Sequence, residues 1–152
     1  MMPNKLNNWE GGEAPQEFSW KSSIDETSHP VYEIQLGPFA QKMSQTLKEI
    51  VLMLAKMKHF IIIDDVAFDS TAVNIWREVL KVYKVLWFGI KTPLPILEER
   101  ERLRGNRMHG TARAQYFKVH KDITYELEFD TSKEFMKNIV QTIKEKLCQT
   151  DH

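Results

Sequence analysis

Two unbroken apolar runs constrain what this chain can fold into. Residues 60–66 read FIIIDDV and residues 85–90 read VLWFGI. Neither run alternates apolar with polar residues, so neither has a side suited to water. Each has the pattern of a short strand covered on both faces, as in a parallel sheet flanked by helices. Residues 125–129, YELEF, do alternate with period two and predict a strand at the sheet margin with one wet face.

The segments between these runs have helical spacing. In residues 38–58, Phe39, Met43, Leu47, Ile50, Leu54 and Met57 recur at three and four, which predicts one inward face. Asp69 or Ser70 is placed to cap a helix that buries Ala72, Trp76, Leu80 and Tyr83. After the second apolar run, Thr92 is a candidate cap and Pro93 suits the first position of a helix that stops at Gly105. A helix over residues 111–119 is expected to turn Ala112, Tyr116 and Val119 inward, with Arg113, Phe117 and His120 on another side. Thr131 with Glu134 has capping-box spacing ahead of a last helix burying Phe135, Ile139, Ile143 and Leu147. Residues 1–37 are the least regular. They hold Trp9, Gly11, Gly12, Phe18 and Trp20, and a hairpin pairing residues 18–21 with 31–36 across a polar link. The two tryptophans suit an acceptor pocket or a satellite cluster under a loop.

Strand, helix, strand, helix, strand, helix is the order of an α/β layer fold with a parallel sheet and flanking helices. Three strands give only one interior position, yet residues 60–66 and 85–90 both have interior patterns. At least one further strand is therefore expected beside them.

Charge is balanced, with 21 basic and 21 acidic residues in 152, so no global field draws in nucleic acid or an acidic membrane. Cys148 is the only cysteine and cannot form an internal disulfide, which suits a reducing cytoplasm. No apolar run nears the roughly 20 residues of a membrane span, and no signal peptide opens the chain. These features describe a soluble cytoplasmic protein. Within the helix after Pro93, Glu98 and Arg102 are spaced to neutralise each other. Arg100, Arg104 and Arg107 follow i, i+4, i+7, a cluster that is either a solvated basic face or the place of an anion. Asp64 and Asp65, at the end of the first apolar run, suit either a Mg²⁺ site or a turn and cap.

FIIIDDV, then VLWFGIKTPLPILEERERLRGNR, then Ala112-x-x-Gln115, Val119-His120 and YELEFDT resemble chloramphenicol phosphotransferase and its relatives in order and spacing. The resemblance implies a P-loop kinase-like domain that moves the γ-phosphoryl group of ATP, with Mg²⁺, to a hydroxyl of a small acceptor. It implies that Arg104 and Arg107 match the lid arginines that close over the phosphates, with Arg100 a less close match. Asp64 then matches the acidic strand end near Mg²⁺, with Asp65 beside it, and Asp130 and Thr131 lie where the last strand approaches the adenine. Residues 1–37 would wall the acceptor side, and residues 38–147 would form the core and lid of a single domain.

One departure stands out. These 152 residues contain no G-x-x-x-x-G-K-[S/T] loop. By the resemblance, that loop on its first, central strand, and the βα unit after it carrying the aspartate base, are expected before Met1. The expectation is thus an incomplete kinase domain, inactive in this form. The alternatives are a non-catalytic remnant or anion-binding module, and a related P-loop kinase with another acceptor. A nucleic-acid binder using Arg100, Arg102, Arg104, Arg107 and Arg113 fits poorly with the neutral balance and the carboxylates at 98–101.

Overall fold

The computed structural model describes residues 18–65, 68–104 and 108–150. Trp9, Gly11, Gly12, Val66, Gly105 and Arg107 lie outside the described residues. The chain opens with a hairpin of β1 (Phe18–Ile24) and β2 (Pro30–Leu36), paired antiparallel from Phe18 with Leu36 to Ile24 with Pro30. The expected hairpin is therefore present and longer than its apolar core suggests. Its turn is closed by Asp25, whose carboxylate accepts from the backbone N–H groups of Thr27 and His29, both at 2.9 Å.

Helix α1 (Pro38–Lys56) starts as expected, with Gly37 at the cap and Pro38 in the first turn. Its inward face is a correction. Ala40 and Val51 are buried, whereas Phe39, Met43, Leu47, Ile50 and Met57 are exposed. The apolar stripe stands about a quarter turn away from the face that packs. The reason is that the main packing of α1 among the described elements is on α2 and β2, and Val51 is the residue that meets Trp76 of α2.

Residues 60–65 form no strand, and this too corrects the expectation. Phe60 and Ile62 are 74% and 83% exposed. A strand exists only by its ladder, and no described segment pairs with these residues. Ile61 alone turns inward, against a core cluster of Val51, Trp76 and Leu80 that also takes in Tyr83, Val85 and Trp87. Helix α2 (Ser70–Val79) supplies Trp76, and its cap is Asp69, which accepts from the Ala72 N–H at 3.1 Å.

The parallel pairing expected of this fold is seen once. β3 (Phe88–Lys91) and β4 (Leu127–Asp130) pair in parallel, with Lys91 opposite Asp130. β3 begins three residues later than the apolar run, and Ile90 is half exposed, so the strand is not covered on both faces. Gly89 is required by close approach: a Cβ there would stand 2.7 Å from the ring of Tyr125. The crossover between the strands is α3 (Leu94–Arg104) and α4 (Thr111–Tyr116), and α5 (Met136–Thr150) closes the described chain. Three details of these helices differ from the sequence reading. Pro93 lies just before α3, its carbonyl accepting from the Ile96 and Leu97 N–H groups, and Thr92 does not cap. In α4 the buried residues are Thr111 and Ala114 rather than Ala112 and Tyr116, because α4 packs on β2 and α3 through that side. Ahead of α5, Glu134 accepts from the Asp130 N–H at 2.9 Å and Phe135 points to solvent, leaving Ile139 as the buried anchor. No described helix is long and apolar enough to cross a membrane.

Trp76 joins core packing to a polar tie, since its indole N–H donates to Asp65 at 2.8 Å. Trp76→Ala is expected to cost about 3–5 kcal/mol of unfolding free energy in urea titration. A loss under about 1 kcal/mol would show that this cluster is not the core.

Candidate functional site

Ligands of parallel α/β sheets gather beyond the carboxyl ends of the strands. Here that end is built from Lys91, the last residue of β3, with Thr92 after it, and Asp130, the last residue of β4, with Thr131 after it. The Thr131 N–H donates to the Lys91 carbonyl at 2.9 Å, which carries the ladder one step past the strands. The Thr92 and Thr131 hydroxyls then meet at 2.5 Å.

Arg100 reaches this point from the middle of α3. One terminal nitrogen donates to the Thr131 hydroxyl at 2.9 Å and the Thr92 hydroxyl at 3.3 Å, and the other to the Thr131 carbonyl at 3.1 Å. All three acceptors are neutral, so the guanidinium is held in place without losing its charge. Arg104, one turn on, is exposed and has no hydrogen bond or ion pair among the described residues.

Two other described arginines of the region, Arg102 and Arg113, are neutralised. Arg102 binds Glu99 through two nitrogens, at 2.9 and 2.6 Å, in place of the expected Glu98. Glu98 instead accepts from Arg113 of α4 at 2.6 Å, and Arg113 also pairs with Asp25 at 3.2 Å. Among the described residues the structure therefore separates Arg100 and Arg104 from Arg102 and Arg113 by charge state of their surroundings. The i, i+4 spacing alone did not make that separation for Arg113.

Of Asp130 and Thr131, only Thr131 bonds to Arg100. The Asp130 carboxylate accepts from the Ser132 hydroxyl at 2.6 Å and the Ser132 N–H at 2.9 Å, and pairs with Lys133 at 3.1 Å. The Ser132 hydroxyl, its N–H and Lys133 hold Asp130 down at about 2. Lys91 is paired with Glu128 at 2.7 Å.

Asp64 and Asp65 are not brought into contact with this group. Asp65 is engaged by Trp76, and Asp64 is exposed. No cluster of three or more His, Cys, Asp or Glu able to hold a metal forms among the described residues. That donor set fits Mg²⁺ only in the way Mg²⁺ is commonly bound, by one or two carboxylates with substrate phosphates supplying further oxygens.

His120 is a packing residue. Its Nδ1 lies 2.9 Å from the Tyr125 hydroxyl, the rings meet edge to face, and burial, aided by the Lys91 charge, lowers its pKa. A cleft of about 500 Å³ lies at the opposite end of the strands against Arg77, Trp87 and Tyr125. Arg77 there stacks on Trp87 and donates to the Thr124 carbonyl, so it ties the two sides of the cleft together.

Sequence reasoning missed Glu101, which is buried at the foot of the arginine helix and accepts from the Gly110 N–H at 2.7 Å and the Ala112 N–H at 2.9 Å. One signal was present: α4 begins at Gly110, which has no side chain to cap it, so an acceptor had to come from elsewhere.

The sequence profile of the family described as chloramphenicol phosphotransferase-like protein matches residues 11–148, and the chain belongs to that family. None of the curated proteins matches the chain.

Asp25 and Asp130 give the fold an acid limit. The His29 N–H, with Thr27 and Arg113, lowers Asp25 to about 2 from its ordinary 3.8. Carboxylates depressed on folding stabilise fully above the unfolded pKa, and the contribution is lost as pH falls through the folded one. Thermal midpoints are expected to hold down to pH near 4 and to fall steadily toward pH 2, the fall shrinking in Asp25→Asn. An Asp25→Asn variant that still showed the whole fall would remove Asp25 from the account.

Proposed function

We propose that this chain carries the arginine-lid part of an ATP-dependent phosphotransferase whose acceptor is a hydroxyl of a small molecule, chloramphenicol being the one the family's description names. The observation that supports this most is Arg100: a guanidinium anchored on neutral oxygens at the carboxyl end of a parallel strand pair, with its charge still available. Phosphoryl transfer asks little covalent chemistry of a protein and much positive charge aimed at the phosphates. Arg104 adds to that charge, and by the family resemblance Arg107 is a further lid cation. Asp64, with Asp65 behind it, is the carboxylate for a Mg²⁺ that arrives with the nucleotide, and Asp130 and Thr131 border the adenine. ATP supplies the phosphoryl group, and these side chains hold and orient it.

By itself, the chain does not carry out transfer. Without a G-x-x-x-x-G-K-[S/T] loop in these residues, no run of backbone N–H groups and lysine grips the β- and γ-phosphates. The loop has to come from outside these 152 residues for transfer to occur. That same lack favours a second reading, an anion-binding module without catalysis. A nucleic-acid role is disfavoured, because Arg102 and Arg113 are spent on Glu99, Glu98 and Asp25.

Calorimetry on this chain separates these readings. Inorganic tripolyphosphate is expected to bind with Kd on the order of 1 mM, and Arg100→Ala to weaken it about tenfold. Micromolar binding of ATP with Mg²⁺ would overturn the lack of a phosphate grip in the chain alone, and no effect of Arg100→Ala would overturn the lid assignment. In a form that includes the phosphate loop, Arg107→Ala is expected to lower kcat by about tenfold or more with little change in thermal midpoint. An unchanged kcat would take Arg107 out of the mechanism, while turnover that never appears in such a form favours the non-catalytic module.

A further inference from the structure

We propose that Glu101 and Arg113 are positioning residues that lock the rotation of α3 against α4 and the hairpin, and thereby present Arg100 and Arg104 on one flank. The consequence for anion binding rests on the lid reading above, but the mechanical lock does not.

The geometry is specific. Glu101 is buried, and a buried carboxylate is costly unless its oxygens are bonded. One oxygen accepts from the Gly110 N–H, and the other from the Ala112 N–H and the Thr111 hydroxyl. It therefore caps α4 from a different helix. Three residues earlier on α3, Glu98 accepts from Arg113, which continues to Asp25 and, at 3.3 Å, to the Thr27 hydroxyl in the hairpin turn. Arg113 is only 16% exposed, and two carboxylates more than neutralise it. It has no charge left to offer a ligand.

Two carboxylates one turn apart fix a helix about its axis, where one would leave it free to roll. Glu98 and Glu101 share a stripe, and Arg100 and Arg104 share another about 110° around the helix. With the first stripe seated on α4, the second is set toward the strand ends, where Arg100 meets Thr131. Gly110 completes the joint. It sits at φ 93°, its carbonyl faces the Tyr32 N–H of β2, and a Cβ would meet the Pro30 carbonyl at 2.7 Å.

Two measurements on the full chain test this. In amide exchange, Glu101→Gln is expected to speed exchange about tenfold or more, not only at Gly110 and Ala112 but along α3 and through the turn at 25–29 together. Acceleration confined to residues 110–112 would overturn the lock. The second is a sign test with tripolyphosphate. If charge alone mattered, Glu98→Gln would strengthen binding, because it deletes a negative group beside the arginines. The lock predicts the reverse, about threefold or more weaker binding by protein that is still folded, and the same from Arg113→Lys, which keeps the charge but not the bridge. Unchanged or tighter binding in Glu98→Gln would overturn the positioning role. If the parent chain binds no tripolyphosphate, the lid reading fails, and the exchange result decides the lock by itself.

Discussion

The buried carboxylate of Glu101 is the contact on which the arrangement of this region depends. A helix start leaves several backbone N–H groups without partners, and α4 opens at a glycine that can satisfy none of them with a side chain. Glu101 fills that need from α3 and in return has its own charge solvated inside the fold. One exchange of hydrogen bonds thus ties the two crossover helices together. The same Gly110 hands its carbonyl to β2, which brings the hairpin into the joint.

From that joint follows a division of labour among charges. Five arginines lie between residues 100 and 113, and counting them suggests a basic surface. The structure divides four of them. Arg102 and Arg113 hold carboxylates and serve the fold, while Arg100 rests on threonine oxygens and keeps its charge. Arg104 stands exposed one turn further along the same flank. What a phosphate would meet is therefore a small, oriented subset and not the run as a whole.

Much of the local structure was legible in the chain. Gly37 and Pro38 mark the start of α1, Asp69 caps α2, and the 18–21 and 31–36 segments do pair, because these signals act within a few residues. The failures are non-local. Apolar periodicity in α1 says that Phe39, Met43 and Leu47 suit an interior, but burial depends on which element arrives, and Trp76 of α2 arrives at Val51. FIIID has strand composition, yet a ladder needs a second edge, and no described segment supplies one. Glu98 illustrates the same limit at the candidate site: spacing pointed to Arg102 within the helix, and a better-placed guanidinium came from Arg113, fifteen residues on. Arg100 was legible as a cation, but its seat on Thr131 was not.

Arg100 and Arg104 are the cations available to a polyphosphate, and arginine side-chain Nε–Hε resonances in a tripolyphosphate titration report on each guanidinium separately. The signals of Arg100 and Arg104 are expected to move with added ligand while those of Arg102 and Arg113 stay in place. Movement of Arg102 and Arg113 in step with the others, or no movement of Arg100, would contradict this division of charge.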